Sequence, residues 1–370
     1  MSQAPKQIRE LMTEWLTAVA VQSEPTTKDK LKDNLQFSLM NALGTAASMF
    51  GSLQDDTFSI LMYHRLAPDN RGATSPSINV TPAQFQTQLE GLLKAGFHFW
   101  PLTKAIEHRR RYDSIPDKTL VITFDDAFEC VYTYGVPIMR KLGIPATIFV
   151  NTAFIGQDMA MPFDHYGMKN IDKVPSHWYQ PMSDRQVRQL IEDPLFEIGA
   201  HTHTHRDFRN RNSAFQKDMI LNLREMKNRF GIENPTFAFP YGIPELGFVT
   251  WEMIDIVKDF GITCALTTSP RVIHSDSSPF GWGRFHVFPW DNARTIRARV
   301  QGWYEWLPYL KNIRNRSENF MGIPNTSPLC QQHLSQFEND ERIDLVLNWL
   351  DERKLKHVSH CVQQAHEVEV

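Results

Sequence analysis

The chain has 370 residues, 22% of them charged, with a formal net charge of −3. That length accommodates one large barrel or sheet-and-helix domain with appendages, or two ordinary domains. So balanced a charge, with no long basic stripe, excludes a field built to attract nucleic acid. The single basic run, HRRR at 108–111, reads as a solvated helix end, where cations are favoured.

Four cysteines, Cys130, Cys264, Cys330 and Cys361, form no CxxC pair and are expected as free thiols in a reducing compartment. Glu10 and Glu14 interrupt the apolar stretch that a secretory leader needs, and no run is apolar and long enough to span a bilayer. The expectation is a cytoplasmic protein without a membrane span.

In chain order, residues 1–55 carry two runs of apolar residues at helical spacing, Ile8 to Val19 and Leu31 to Leu43, split by SEPTTKDK. They are expected to form a helical hairpin that packs on the main domain, joins two copies of the chain into a homo-oligomer or, least in keeping with its balanced charges, touches a membrane surface. Residues 56–300 then alternate short β-type runs with helical ones. FSILMYH is a buried strand, and TPAQFQTQLEGLLKAG a helix opened by Thr-Pro and stopped at Gly96. LVITFDD, PATIFVN, FEIGAHTHTH, TFAFPYG and ITCALTT are further strands, with helices at VPIMRKLG, SDRQVRQLIEDP, FQKDMILNLREMKNRFG and WEMIDIVKDFG between them. An aromatic insertion runs from about Gly156 to Pro181. This alternation implies a parallel sheet with crossover helices, open or closed as a barrel. Residues 301–370 read as a polar helical extension.

Polar residues collect where strands end: Asp125 and Asp126, then His201, His203 and His205, then Tyr241. In parallel β/α architectures those ends form the binding face, so three segments converge on one rim. A carboxylate with two imidazoles is a sound ligand set for a divalent cation, and a second carboxylate can serve as general base. Spacing alone leaves the register of the histidines open. On a strand all three share a face; at helical spacing His201 and His205 meet while His203 points elsewhere. Asp125 and Asp126 can equally be read as a helix cap.

In this order, ITFDDAFE, GAHTHTHRDF and FAFPYG resemble the successive motifs of the polysaccharide deacetylases, the NodB-homology hydrolases of carbohydrate esterase family four. The flanks ILMYHRLAPD, LGIPATIFVNTAFIG and VRQLIEDPLFEIGAHT are similar too, so the resemblance covers about 57–300. It implies an α/β fold, a distorted (β/α)7-type barrel. It also implies a divalent metal, zinc first with cobalt, nickel, manganese or iron as alternatives, on Asp126, His201 and His205, with His203 a bystander. Asp125 would be the general base, Thr202 would steady the histidine loop, and the Tyr241 backbone N–H would serve the developing oxyanion, with Pro240 setting its geometry.

Three departures from the family pattern matter. Ala127 stands where Gly is common after TFDD, tolerable if its φ stays negative. Ala238 replaces the Arg that orients the base, and Arg284 of GWGRFHVFPW is expected to substitute for it. A Leu-x-His acid motif is missing, which leaves His286, on the Arg284 face of a late strand, as acid candidate, with His274 a weaker one. Trp282, Pro240 and Phe163 are expected to contact substrate, with Trp178, Trp290 and Asp164 as further rim candidates. The resemblance implies an acetylated saccharide substrate, free, nucleotide-linked or lipid-linked, met during cell-surface glycan biosynthesis. Two rival readings are an amide hydrolase on non-sugar C–N bonds and a saccharide-binding protein impaired in catalysis.

Overall fold

The computed structural model describes residues 56–69, 78–112, 115–274 and 277–302. The hairpin expected at 1–55 and the extension beyond residue 302 lie outside the described residues. Strand β1 (Thr57–Tyr63) is buried along its whole length, which is why TFSILMY reads as continuous rather than alternating apolar sequence. After it come β2 (Arg65–Leu66), β3 (Asn79–Val80), β4 (His98–Phe99), β5 (Thr119–Phe124), β6 (Ala146–Val150) and β7 (Phe196–Ala200). The later strands are shorter: β8 (Phe237–Ala238), β9 (Ala265–Leu266), β10 (Ile273–His274), β11 (Phe280–Trp282) and β12 (Phe285–His286).

The main sheet runs β10-β1-β5-β6-β7-β8-β9-β11, and every neighbouring pair is parallel except β1 with β10. Closure comes from one short segment. β11 pairs with β9, and β12, reached across Gly283 and Arg284, pairs in parallel with β1. A single stretch of chain therefore touches both edges of the curved sheet and makes it a nearly closed, distorted (β/α) barrel. Gly283 is required there: a Cβ at that position would lie 2.1 Å from the Ser269 carbonyl oxygen.

Crossover helices begin and end where their caps dictate. α1 (Pro82–Lys94) starts on a capping box between Thr81 and Gln84. α2 (Leu102–Tyr112) carries the basic run in its last turn, as its sequence implies. α3 (Val136–Leu142) stops on Gly143 at φ +65°. The insertion contains only the short α4 (His165–Asn170) and one 3-10 turn, Ser176–Trp178. α5 (Asp184–Ile191) opens on a second capping box, Ser183 with Gln186. α6 (Asn212–Phe230) buries Phe215, Met219, Met226 and Phe230 but also Asp218 and Asn222 on the same face. α7 (Trp251–Asp259) and α8 (Ala293–Val300) complete the set among the described residues. Phe215, Phe237, Phe239 and Val257 pack between α6, α7 and the sheet, and Phe58, Val121, Leu266 and Trp282 fill the barrel side.

Two local expectations change. Strand β7 ends at Ala200, so His201 stands at the strand's end, its N–H donating to the Val150 carbonyl at 3.1 Å, while His203 and His205 sit in an irregular loop, with Thr202 at φ +64° and His205 at φ +53°. Ala127 adopts φ +48°, in the left-handed region, so the condition that its φ stay negative fails.

Candidate metal centre

The rim at the C-terminal ends of β1, β5 and β7 brings together the residues that the sequence places there. Asp126 Oδ1 lies 3.7 Å from His201 Nε2 and 3.5 Å from His205 Nε2. One donor atom from each of the three residues falls within 4.8 Å of the others, and all three are buried. Around an ion at zinc–ligand distances, neighbouring donors stand about 3.3 Å apart, close to this spacing. Asp126 Oδ1 has no hydrogen-bond partner among the described residues. Burial, and then the carboxylates of Asp125 and Asp164, push the Asp126 carboxyl well above its usual range. A buried acceptor facing two imidazole nitrogens, with surplus negative charge around it, fits a divalent cation. His203 turns the other way: its Nδ1 shares a 2.9 Å hydrogen bond with Thr152 Oγ1.

Asp125 has different surroundings. Arg284, fully buried, grips it with two hydrogen bonds, Nη1 to Oδ1 at 2.6 Å and Nη2 to Oδ2 at 2.8 Å. Its Nε donates to the Thr267 carbonyl at 3.1 Å, which fixes the fork. Burial alone would raise the Asp125 carboxyl, but the charge of Arg284 and the nearby imidazoles outweigh it and hold the group well below the carboxylate range. Two adjacent carboxylates are thus driven apart, one ionised by its arginine and one in want of a cation. Neither caps a helix. Ala238, at the position of the family arginine, contributes its carbonyl instead, which accepts from His201 Nδ1 at 2.7 Å and turns Nε2 toward Asp126.

His64, which directly follows β1, is not singled out by the sequence. Its Nε2 stands 4.0 Å from Asp125 Oδ2, and burial lowers its pKa to about 4. The signal that finds it is the strand-end rule already applied to Asp125 and His201. His286 lies behind it, the two rings 5.1 Å apart. His286 in turn stacks on Phe288 at 4.4 Å, and Phe288 on Trp290 at 4.9 Å. His274 pairs with Thr57 at the start of β1, the end opposite the site, and drops out as an acid candidate.

Among the expected substrate contacts, Phe163 reaches the centre and stacks on His205. Trp282 does not: it is 2% exposed and packs edge-on against Phe58 in the core, because β11 points it into the barrel. Pro240 is buried too, its carbonyl accepting from the Gly242 N–H at 2.6 Å, so it shapes the turn rather than offering a surface. Trp178 is buried under the insertion, whereas Trp290 is 48% exposed. Tyr241 sits at φ +59° with its ring 5.0 Å from that of His205.

The model of the polysaccharide deacetylase family matches residues 113–265, the stretch that holds Asp125, Asp126 and the histidine loop. A poly-beta-1,6-N-acetyl-D-glucosamine N-deacetylase of Staphylococcus aureus is 22% identical over 211 residues, 55% of this chain. The chain spans 65% of that relative's length. The same fold occurs in IcaB from Ammonifex degensii, with a TM-score of 0.55 at 24% identity over 68% of this chain and all of that one. It occurs also in the Streptococcus pyogenes deacetylase PplD, solved with acetate, with a TM-score of 0.55 at 16% identity over 67% of this chain and 99% of that one.

Proposed function

We propose that this protein is a metal-dependent hydrolase that removes N-acetyl groups from a saccharide during formation or modification of a cell-surface glycan. The observation that carries the reading is the pairing of an Asp126–His201–His205 cluster with a second carboxylate, Asp125, held ionised by Arg284. The match to poly-beta-1,6-N-acetyl-D-glucosamine N-deacetylases supports an N-acetylglucosamine unit as substrate.

Asp126, His201 and His205 would hold the cation, and two imidazoles with one carboxylate suit zinc or another borderline divalent ion. Such an ion polarises an acetyl carbonyl and acidifies water. Asp125 takes the proton from the attacking water, and the Arg284 fork keeps its oxygens aimed and unprotonated. The Tyr241 backbone N–H, at the neighbouring strand end, serves the developing oxyanion. His64 and His201 both stand 4.0 Å from the base, and His64 is the one outside the ligand set, so it is better placed than His286 to return the proton to the leaving nitrogen; His286 supports it from behind. The cytoplasmic placement belongs to the same reading, and fractionation followed by immunoblotting tests it.

The direct test is acetate release from N-acetylated, β-1,6-linked glucosamine oligomers by the metal-loaded protein, beside Asp125→Asn. The variant is expected to keep its metal while turnover falls about 10²–10⁴-fold. Unchanged turnover in the variant would remove Asp125 as base.

A further inference from the structure

The two imidazoles of the centre are oriented by different means. His201 is fixed by its Nδ1–H, which donates to the Ala238 carbonyl at 2.7 Å. An imidazole that binds a metal is ordinarily aimed in this way, through the nitrogen that does not touch the ion. His205 lacks that device: its buried Nδ1 has no hydrogen-bond partner on any other described residue. Instead its ring lies flat on Phe163, with centroids 3.9 Å apart and planes 19° from parallel, and meets the Tyr241 ring at 65° and 5.0 Å.

Phe163 is itself seated by a buried ion pair. The next residue, Asp164, is 6% exposed, and its Oδ2 accepts from Arg65 Nη2 at 2.6 Å. Arg65, fully buried in β2 directly after His64, lies between two rings, 4.0 Å from the Phe128 centroid and 4.9 Å from that of Tyr166. Its Nη1 donates to the Trp178 carbonyl. One guanidinium therefore gathers the end of β1, the loop that carries Asp126, and the aromatic insertion. The stem of the insertion is pinned to that same loop, since the Met182 N–H donates to the Ala127 carbonyl and the Glu129 N–H to that of Gln180, both at 2.9 Å.

We propose that Phe163 is a positioning residue for the metal: its ring stands in for the orienting hydrogen bond that His205 lacks, and the Arg65–Asp164 pair holds it in place. The inference rests on the reading of Asp126, His201 and His205 as the metal ligands. Without the flat contact the His205 ring keeps only the edge-on contacts of Tyr241 and His201, so it turns more readily about its bond to Cβ and its Nε2 dwells less beside Asp126. The insertion thereby acts on the metal as well as on whatever lies above it.

Zinc affinity of the full chain, measured by competition with a chromophoric chelator, tests this together with the visible absorption of the cobalt(II) form. Phe163→Ala should weaken zinc binding about tenfold and alter the cobalt bands, whereas Phe163→Tyr should restore both to within about twofold. Phe163 is only partly buried, so truncation is tolerable; Phe163→Leu keeps the bulk without the planar face and should behave like Ala. Equal zinc affinity and equal cobalt spectra in all four proteins would overturn the proposal while leaving the metal centre standing. Failure of the unsubstituted chain to bind zinc or cobalt would instead overturn the metal-centre reading, and this proposal with it.

Discussion

The two halves of the centre stand on different supports. Asp125, His201, Arg284 and His64 hang from strand ends or from the closing segment of the barrel. There Arg284 bonds both carboxylate oxygens of Asp125, and Ala238 takes the N–H of His201. His205, Asp126 and Phe163 sit on loops. Their geometry is held by ring contacts and by backbone in the left-handed region, φ +70° at Asp126 and +53° at His205. A strand end positions a side chain through the sheet's own hydrogen bonds, so little further support is needed. A ligand carried on a loop must be held by packing or by strain, and here by both. The loop half is therefore where the candidate metal site would be loosened without unfolding the barrel.

The largest effect should come from attacking the strand half. Arg284→Met leaves Asp125 buried and unpaired, so stability is expected to fall by about 3–5 kcal/mol, read by chemical denaturation, with loss of acetate release. A cost under about 1 kcal/mol would mean that the fork is not the support assigned to it.

Next comes the brace behind the histidine loop. Asp218 on α6 accepts from the His203 N–H and the Thr204 hydroxyl, and one turn on, Asn222 donates to the Thr202 carbonyl at 2.8 Å. Burial, outweighing these donors and the charge of Arg206, pushes the Asp218 carboxyl up to about 6. A folded pKa above the unfolded one gives stability that is complete below about pH 4 and is lost as pH rises through about 6. The unfolding free energy of the natural chain minus that of Asp218→Asn should therefore decline by roughly 2–3 kcal/mol over that window. A flat difference would remove the buried carboxyl as its cause.

The smallest effect sharpens the contrast on the loop side. Ala127 holds a left-handed conformation that glycine adopts without strain, so Ala127→Gly should raise stability by about 1 kcal/mol, seen as a higher denaturation midpoint. Destabilisation would mean that the methyl group packs more than it strains.

How much of this was legible follows the same division. The strands, their order along the chain and the capped helices could be read because period, Gly and Pro signals, and Ser/Thr caps are local. The candidate metal set Asp126, His201 and His205 came from resemblance rather than spacing, since the loop that carries His203 and His205 is neither strand nor helix. Arg284 was reachable as a replacement for the arginine missing at Ala238, although its two-toothed grip on Asp125 depends on the barrel closing through Gly283. His64 obeys the strand-end rule too, but a lone histidine after a strand carries no spacing or repeat that marks it as functional. Trp282 was misplaced at the rim because nothing local tells an inward tryptophan from an outward one. The Arg65–Asp164 pair joins residues 99 positions apart, and no periodicity announces it.

The central claim, a metal-dependent deacetylase, is tested most directly by following acetate release from an N-acetylated glucosamine oligomer through one cycle of chelation and reconstitution, with bound metal measured at each stage. The account predicts about one divalent ion per chain, loss of release when the ion is removed, and recovery on adding zinc or cobalt. Undiminished release by the metal-free chain, or none by the fully loaded one, would contradict it.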